Sequence, residues 1–133
     1  MTAELYWMTL TVLMTALFWV PCILDRAVTR GLIGAVWGTT PETGEKQSLW
    51  AQRAIKAHAN AVENLAIFVP AVLTLNILHI STPATRMAAS VYFFARLAHF
   101  VLYSAGIPFG RTSAFTVGWI AQIALLATIL GWK

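Results

Sequence analysis

Seven side chains carry most of the chemistry open to this sequence. Arg53, Lys56, Asn60 and Glu63 follow one another at i, i+3, i+7 and i+10, and Arg96, His99 and Tyr103 at i, i+3 and i+7. At about 100° per residue each set keeps to one side of a helix, so these are two stripes rather than scattered polar positions. Asn64 borders the first stripe, and His58 points away from it. A carboxylate, an amide, an imidazole, a phenol and several cations on two facing helices could hold a small anion. They could equally form a buried network that fixes helix register and binds nothing. If Arg53 and Gly106 mark one end of the helices, Glu63 lies ten residues beyond the first and Arg96 ten before the second. Each is then about 15 Å along its axis, so the two are expected level and paired, which would offset much of their desolvation cost. Asn60, His99, Lys56 and Tyr103 would line the space above that pair, with Arg111 at the turn beyond. The basic surplus suits an anionic ligand.

The elements that position these groups follow from composition. Among 133 residues, 59% are hydrophobic and 11% charged, with mean hydropathy +0.71. A soluble domain carries charge at roughly a quarter of its positions, so the solvent for most of this surface must be lipid. A span takes about 20 apolar residues, which leaves room for about four spans and their loops. The expected architecture is an all-α integral membrane protein, a single domain over 1–133, with a four-transmembrane-helix bundle in antiparallel up-down order. Spans are expected over about 5–24, 58–80, 84–105 and 113–131.

The first run, Leu5–Leu24, lacks a basic region before it and should stay in the mature protein; Pro21 should kink its last turn. Asp25 to Lys56, rich in Gly and Thr, reads as the main loop, with Leu32, Ile33, Val36 and Trp37 lying in a headgroup layer or forming a loose tip. Ser48 is a candidate N-cap for the second helix, which Pro70 interrupts, and Ser113 for the fourth. Ser81-Thr82-Pro83 and Gly106–Gly110 make the two remaining turns. Arg26, Arg30, Lys46, Arg53, Lys56 and Arg111 fall on one side against Arg86 and Lys133 on the other. Six against two places both termini outside and the polar pocket toward the cytoplasm. Trp7 and Trp132 would mark the outer interface, Trp19 and Trp50 the inner one.

Several classes drop out. The single cysteine, Cys22, excludes an intramolecular disulfide and a Cys-rich metal site, and the three histidines share no face, so no metal is expected. The net charge of +4 is scattered and loop-bound, which reads as membrane topology and not as nucleic-acid binding. Gly38–Lys46 lacks phosphate-loop spacing and a preceding strand. His79 reads as interfacial, Gln122 as a bond to a neighbouring helix, and four short spans with one polar patch argue against a channel.

The stretch Arg53-Ala-Ile-Lys56-Ala-His58-Ala-Asn60-Ala-Val-Glu63-Asn64 resembles the second-helix signature of the MAPEG family, membrane-associated proteins in eicosanoid and glutathione metabolism. Arg96-Leu-Ala-His99-Phe-Val-Leu-Tyr103, then Gly106-Ile107-Pro108 and Arg111-Thr112, is similar to that family's third-helix motif and the turn after it. The resemblance implies a four-helix protomer of a bacterial-type member in the inner membrane, assembled as a homotrimer. It implies glutathione as co-substrate, bound between subunits at the cytosolic side, and a lipophilic electrophile arriving from the bilayer. By the same resemblance Asn60 and Glu63 contact glutathione, Arg96 and Tyr103 support or contact it, and Arg111 stabilises the thiolate as the catalytic residue. Arg53, Lys56 and His99 complete the ligand set, and Arg26 matches the basic residue after the first helix. A nearby cation does lower a thiol's pKa. Lys56 stands where glutathione-using members carry arginine and cannot make a planar two-point contact. Ala59 offers no polar contact where some members have a basic residue. The expected activity is a glutathione transferase or peroxidase; the alternative is a non-catalytic protein of the same fold holding a small anionic or lipidic ligand.

Overall fold

The structure, a computed structural model, describes residues 1–37 and 47–132. The Gly38–Lys46 stretch and Lys133, on which part of the topology count rests, lie outside the described residues. Five helices follow in order: α1 (Ala3–Leu17), α2 (Trp19–Val36), α3 (Leu49–Ile77), α4 (Pro83–Ala105) and α5 (Pro108–Ile129). α1 and α2 run on as one 34-residue apolar unit, so among the described residues four helices or helix pairs are long and apolar enough to cross a membrane. It is an integral, multi-pass membrane protein built as an all-α bundle.

The joint between α1 and α2 falls at Phe18, three residues before Pro21. Pro21 has no N–H for the preceding turn and its ring crowds it, so the helix loosens there without ending. Beyond it the expected loop from Asp25 is instead helical to Val36. Of the glycines in that stretch only Gly31 leaves helical geometry, at φ 71° and ψ 166°. α3 starts at Leu49 with Ser48 in the N-cap position, but the Ser48 side chain makes no capping bond. Instead the Ser48 N–H donates to Asp25 Oδ2 at 3.2 Å, and Gln47 Nε2 donates to the Cys22 carbonyl, which ties α2 to the start of α3. Cys22 is a buried packing residue. α5 begins earlier than expected, at Pro108, whose fixed φ suits a first helical position. Ser113 therefore lies inside the helix, bonded to the Phe109 carbonyl.

Which face of α3 turns inward is decided by its small residues. Ala51, Ala54, Ala57 and Ala61 are all buried, a row that lets neighbouring backbones come close where lipid supplies no hydrophobic drive. Further along, Phe68 stacks on Tyr92 of α4 at 3.9 Å within a core that includes Val72, Leu75, Ala89 and Leu125. On the α1 side, Phe18 stacks on Phe100 and Trp19 packs on the His58 ring.

Two contacts fix the helix ends. Arg53 of α3 lies against Gly106 at the α4–α5 turn, which defines a basic end together with Arg26, Arg30, Lys56 and Arg111. At the opposite end Glu4 is 2% exposed and accepts from Thr85 Oγ1 at 2.6 Å and Ser81 Oγ at 3.2 Å. Thr82 and Thr85 form a capping box there, so one carboxylate joins the start of α1 to the cap of α4. Glu4→Ala should lower unfolding stability by about 1–3 kcal/mol, and Glu4→Gln by less because its carbonyl still accepts. Melting in detergent checks both; equal losses would show that the carboxylate only fills space.

Candidate functional site

The centre of the site is Arg96, 2% exposed in the middle of α4. Its Nη2 donates to Asn60 Oδ1 at 2.6 Å, while its Nε is buried with no hydrogen-bond partner. The Phe115 ring lies 5.9 Å from the guanidinium carbon. Gly118 of α5 makes room for the arginine stem: a Cβ there would sit 3.5 Å from Arg96 Cδ and from Ala95 Cβ. One turn further along α5, Gln122 Nε2 donates to the Asn64 carbonyl at 2.9 Å and lies 3.4 Å from the Tyr92 hydroxyl. Gln122 Oε1 is buried and unpaired. The expected bond from Gln122 to a neighbouring helix is therefore present, and it joins three helices.

From Arg96 toward the basic end the α4 stripe continues. His99 is buried, with Nδ1 unpaired, 5.5 Å from the Tyr103 ring and 6.1 Å from Phe115. Tyr103 is half-buried, and the Arg111 guanidinium sits over its ring at 4.7 Å. A cation held on a π face at the edge of the bundle keeps its N–H groups free to turn toward a ligand. Asn60, Arg96, His99, Tyr103 and Arg111 thus occupy one side where α3, α4 and α5 meet.

The remaining candidates fall elsewhere. Glu63 and Lys56 are exposed, and among the described residues no ion pair joins Glu63 to Arg96. The expected pair fails because of helix phase. Asn60 and Arg53 lie roughly 100° from the centre of the buried alanine face, whereas Glu63 and Lys56 lie about 60° further round, pointing out of the bundle. The partner that holds the arginine is an amide. Arg53 packs on the α4–α5 turn rather than into the cluster. Arg26 is on α2, half-buried with an unpaired Nε, and no hydrogen bond or ring contact ties it to the cluster among the described residues. His79 is exposed in the α3–α4 turn at φ 56°.

The described grooves lie apart from these groups. One of about 290 Å³ is lined by residues including Leu13, Phe93 and Leu97, and one of about 440 Å³ by residues including Met87, Val91 and Ile120. Both are apolar, and neither is lined by a candidate site residue. Tyr92 and Gly118, which sequence reasoning did not single out, carry a signal after all. Tyr92 is four residues before Arg96 on the same face, and Gly118 is the small residue four before Gln122.

A four-span membrane protein with a buried mid-span arginine bonded to an amide, and a polar stripe running from it through His99 and Tyr103 toward the basic end, defines the class. The MAPEG family model matches residues 5–131, nearly the whole chain, and the protein belongs to the MAPEG family. No curated protein and no solved structure was found to match it.

Proposed function

We propose that this protein is a glutathione-dependent transferase or peroxidase that acts on lipophilic electrophiles, with its basic end in the cytosol. The observation that carries the reading is the Arg96 guanidinium, buried at membrane depth with a neutral amide as its hydrogen-bond partner. Charge in that setting costs at least about 2.5 kcal/mol on insertion scales and calls for a compensating anion. Glutathione supplies two carboxylates and a thiol. Arg96 to Tyr103 covers seven residues, about 10 Å of helix, which matches the reach of an extended tripeptide. One carboxylate against Arg96 and Asn60 turns the other toward Tyr103 at the basic end and leaves the central sulfur between them, within the field of the Arg111 cation, which favours the thiolate. The thiolate attacks the electrophilic carbon to form a thioether, and the leaving group departs with the bonding electron pair.

Assembly of the chain as a homotrimer is part of the proposal, and the exposed Glu63 supports it. An exposed carboxylate in mid-span needs a polar partner, and a second and third copy of the chain would provide one while closing the ligand space over Arg96. Glu63 then faces the ammonium of the ligand across that interface.

Millimolar glutathione should raise the melting temperature in detergent, and a chloronitroaromatic should turn over with it. Arg111→Ala is expected to lower kcat about 10²–10³-fold with binding of the thiol form changed only a few-fold, since without the cation the bound thiol ionises less readily. A thermal shift without turnover would assign the chain to non-catalytic anion binding at the same arginine. Neither shift nor turnover would remove both readings.

A further inference from the structure

The last part of α2 has no role in the site above, yet among the described residues it is the most exposed apolar segment. Leu32 and Ile33 are 78% exposed, Val36 84% and Trp37 83%, whereas lipid-facing residues within the bundle such as Leu13 and Val101 are 54% and 53% exposed. These four therefore stand clear of the bundle. They sit at i, i+1, i+4 and i+5, a stripe about 140° wide, with the small Gly34 and Ala35 on the other side. The segment starts at a break. Gly31, at φ 71° and ψ 166°, holds a conformation that glycine adopts readily, and it separates Arg26 and Arg30 from the apolar stripe.

Length says where the segment lies. α1 and α2, with Phe18 between them, hold 34 residues. That is about 51 Å of helix against about 30 Å of hydrocarbon, so the run leaves the membrane core before Val36. Asp25 is level with the start of α3, where it accepts the Ser48 N–H. Continued straight for six more residues, about 9 Å, the chain would carry four large apolar side chains out past the headgroups. The break at Gly31 permits another course.

We infer that residues 32–37 form an interfacial foot that lies in the headgroup layer of the leaflet at the basic end, with its apolar stripe set against the acyl chains. The occupant of this face is the bilayer itself. A short apolar stripe ending in tryptophan and preceded by two arginines fits that layer, where indole rings settle and basic side chains meet lipid phosphate.

Single-cysteine variants in a Cys22→Ala background test this in vesicles of phosphatidylcholine and phosphatidylglycerol. Ile33→Cys, Val36→Cys and, on the opposite side, Ala35→Cys are each labelled with an environment-sensitive fluorophore. Labels at 33 and 36 should be quenched by nitroxide lipids labelled near the headgroup and be about threefold less sensitive to aqueous acrylamide than the label at 35. Equal acrylamide quenching on both sides would overturn the inference. So would protection of 33 and 36 from acrylamide and nitroxide lipid alike, which would put protein over this face. Because Ile33 and Val36 stand clear of the bundle, their labelled variants should melt with the Cys22→Ala parent, and the half-buried Ala35 variant is compared with them by the same melting curve, which keeps the readout on folded protein. The inference does not depend on glutathione use.

Discussion

Arg96→Met should leave the apo-protein within about 1–2 kcal/mol of its parent and abolish its response to glutathione. The two effects separate because they have different origins. In the free protein the guanidinium is 2% exposed and bonded to the Asn60 amide, so its desolvation is poorly compensated. Replacing a buried charge with an apolar side chain of similar length is often neutral or stabilising, and here the cost is an unbonded Asn60 oxygen. Asn64 Nδ2, already 3.5 Å from Asn60 Oδ1, can take part of that bond. In the proposed complex the same guanidinium meets a carboxylate, and removing one partner of such a pair costs about 2–5 kcal/mol, a loss of roughly 30-fold to several thousand-fold in affinity. A melting curve with and without glutathione reads both quantities from one sample. A large loss of apo stability with retained ligand response would mean that Arg96 is structural and that the anion sits elsewhere.

Much of the candidate site is legible in the sequence, for a definite reason. Polar residues inside a lipid-facing run are costly, so Asn60, Arg96, His99 and Tyr103 at helical spacing had to face the bundle, and the structure turns them to the α3–α4–α5 side. What the spacing did not carry was phase on α3. Arg53, Lys56, Asn60 and Glu63 span only about 80° of the helix, and the packing boundary runs through the middle of that arc. The alanine row at 51, 54, 57 and 61 sets the boundary, and it was visible as a small-residue pattern. Read first, it would have put Glu63 on the outer face. The extent of α2 was hidden for another reason: glycine and threonine density suggested a loop, but in the described part only Gly31 adopts a non-helical angle, and threonine tolerates a helix when its hydroxyl bonds back to the preceding turn, as Thr29 does to Asp25. Pro108 outweighed Ser113 as a start signal because a fixed φ at the first helical position needs no side-chain bond.

The turn that carries Arg111 depends on one missing methyl group. Gly106 ends α4 at φ 77°, and a Cβ built on it would lie 2.5 Å from Arg53 Nη1 and 2.8 Å from Arg53 Cζ. Gly106→Ala therefore meets two penalties, about 1–2 kcal/mol for a left-handed alanine and the eviction of a cation from a helix C-terminus, worth about 0.3–2 kcal/mol. The total, about 1–4 kcal/mol, should appear as a lower melting temperature. Arg53→Ala alone loses only the charge interaction and should cost about 1 kcal/mol. In the double variant the steric conflict is gone, so Gly106→Ala should then cost little beyond the backbone term, and the cycle should show at least about 0.5 kcal/mol of coupling. Additive losses would mean that the guanidinium gives way freely and does not hold the turn. The stakes reach the site because the Arg111 N–H bonds to the Ile107 carbonyl immediately after this glycine, and its guanidinium rests on Tyr103 three residues before it. Moving the turn shifts the cation that the proposed function sets beside the thiolate, so on that proposal turnover in Gly106→Ala should fall further than its loss of stability alone predicts at a temperature where the protein remains folded.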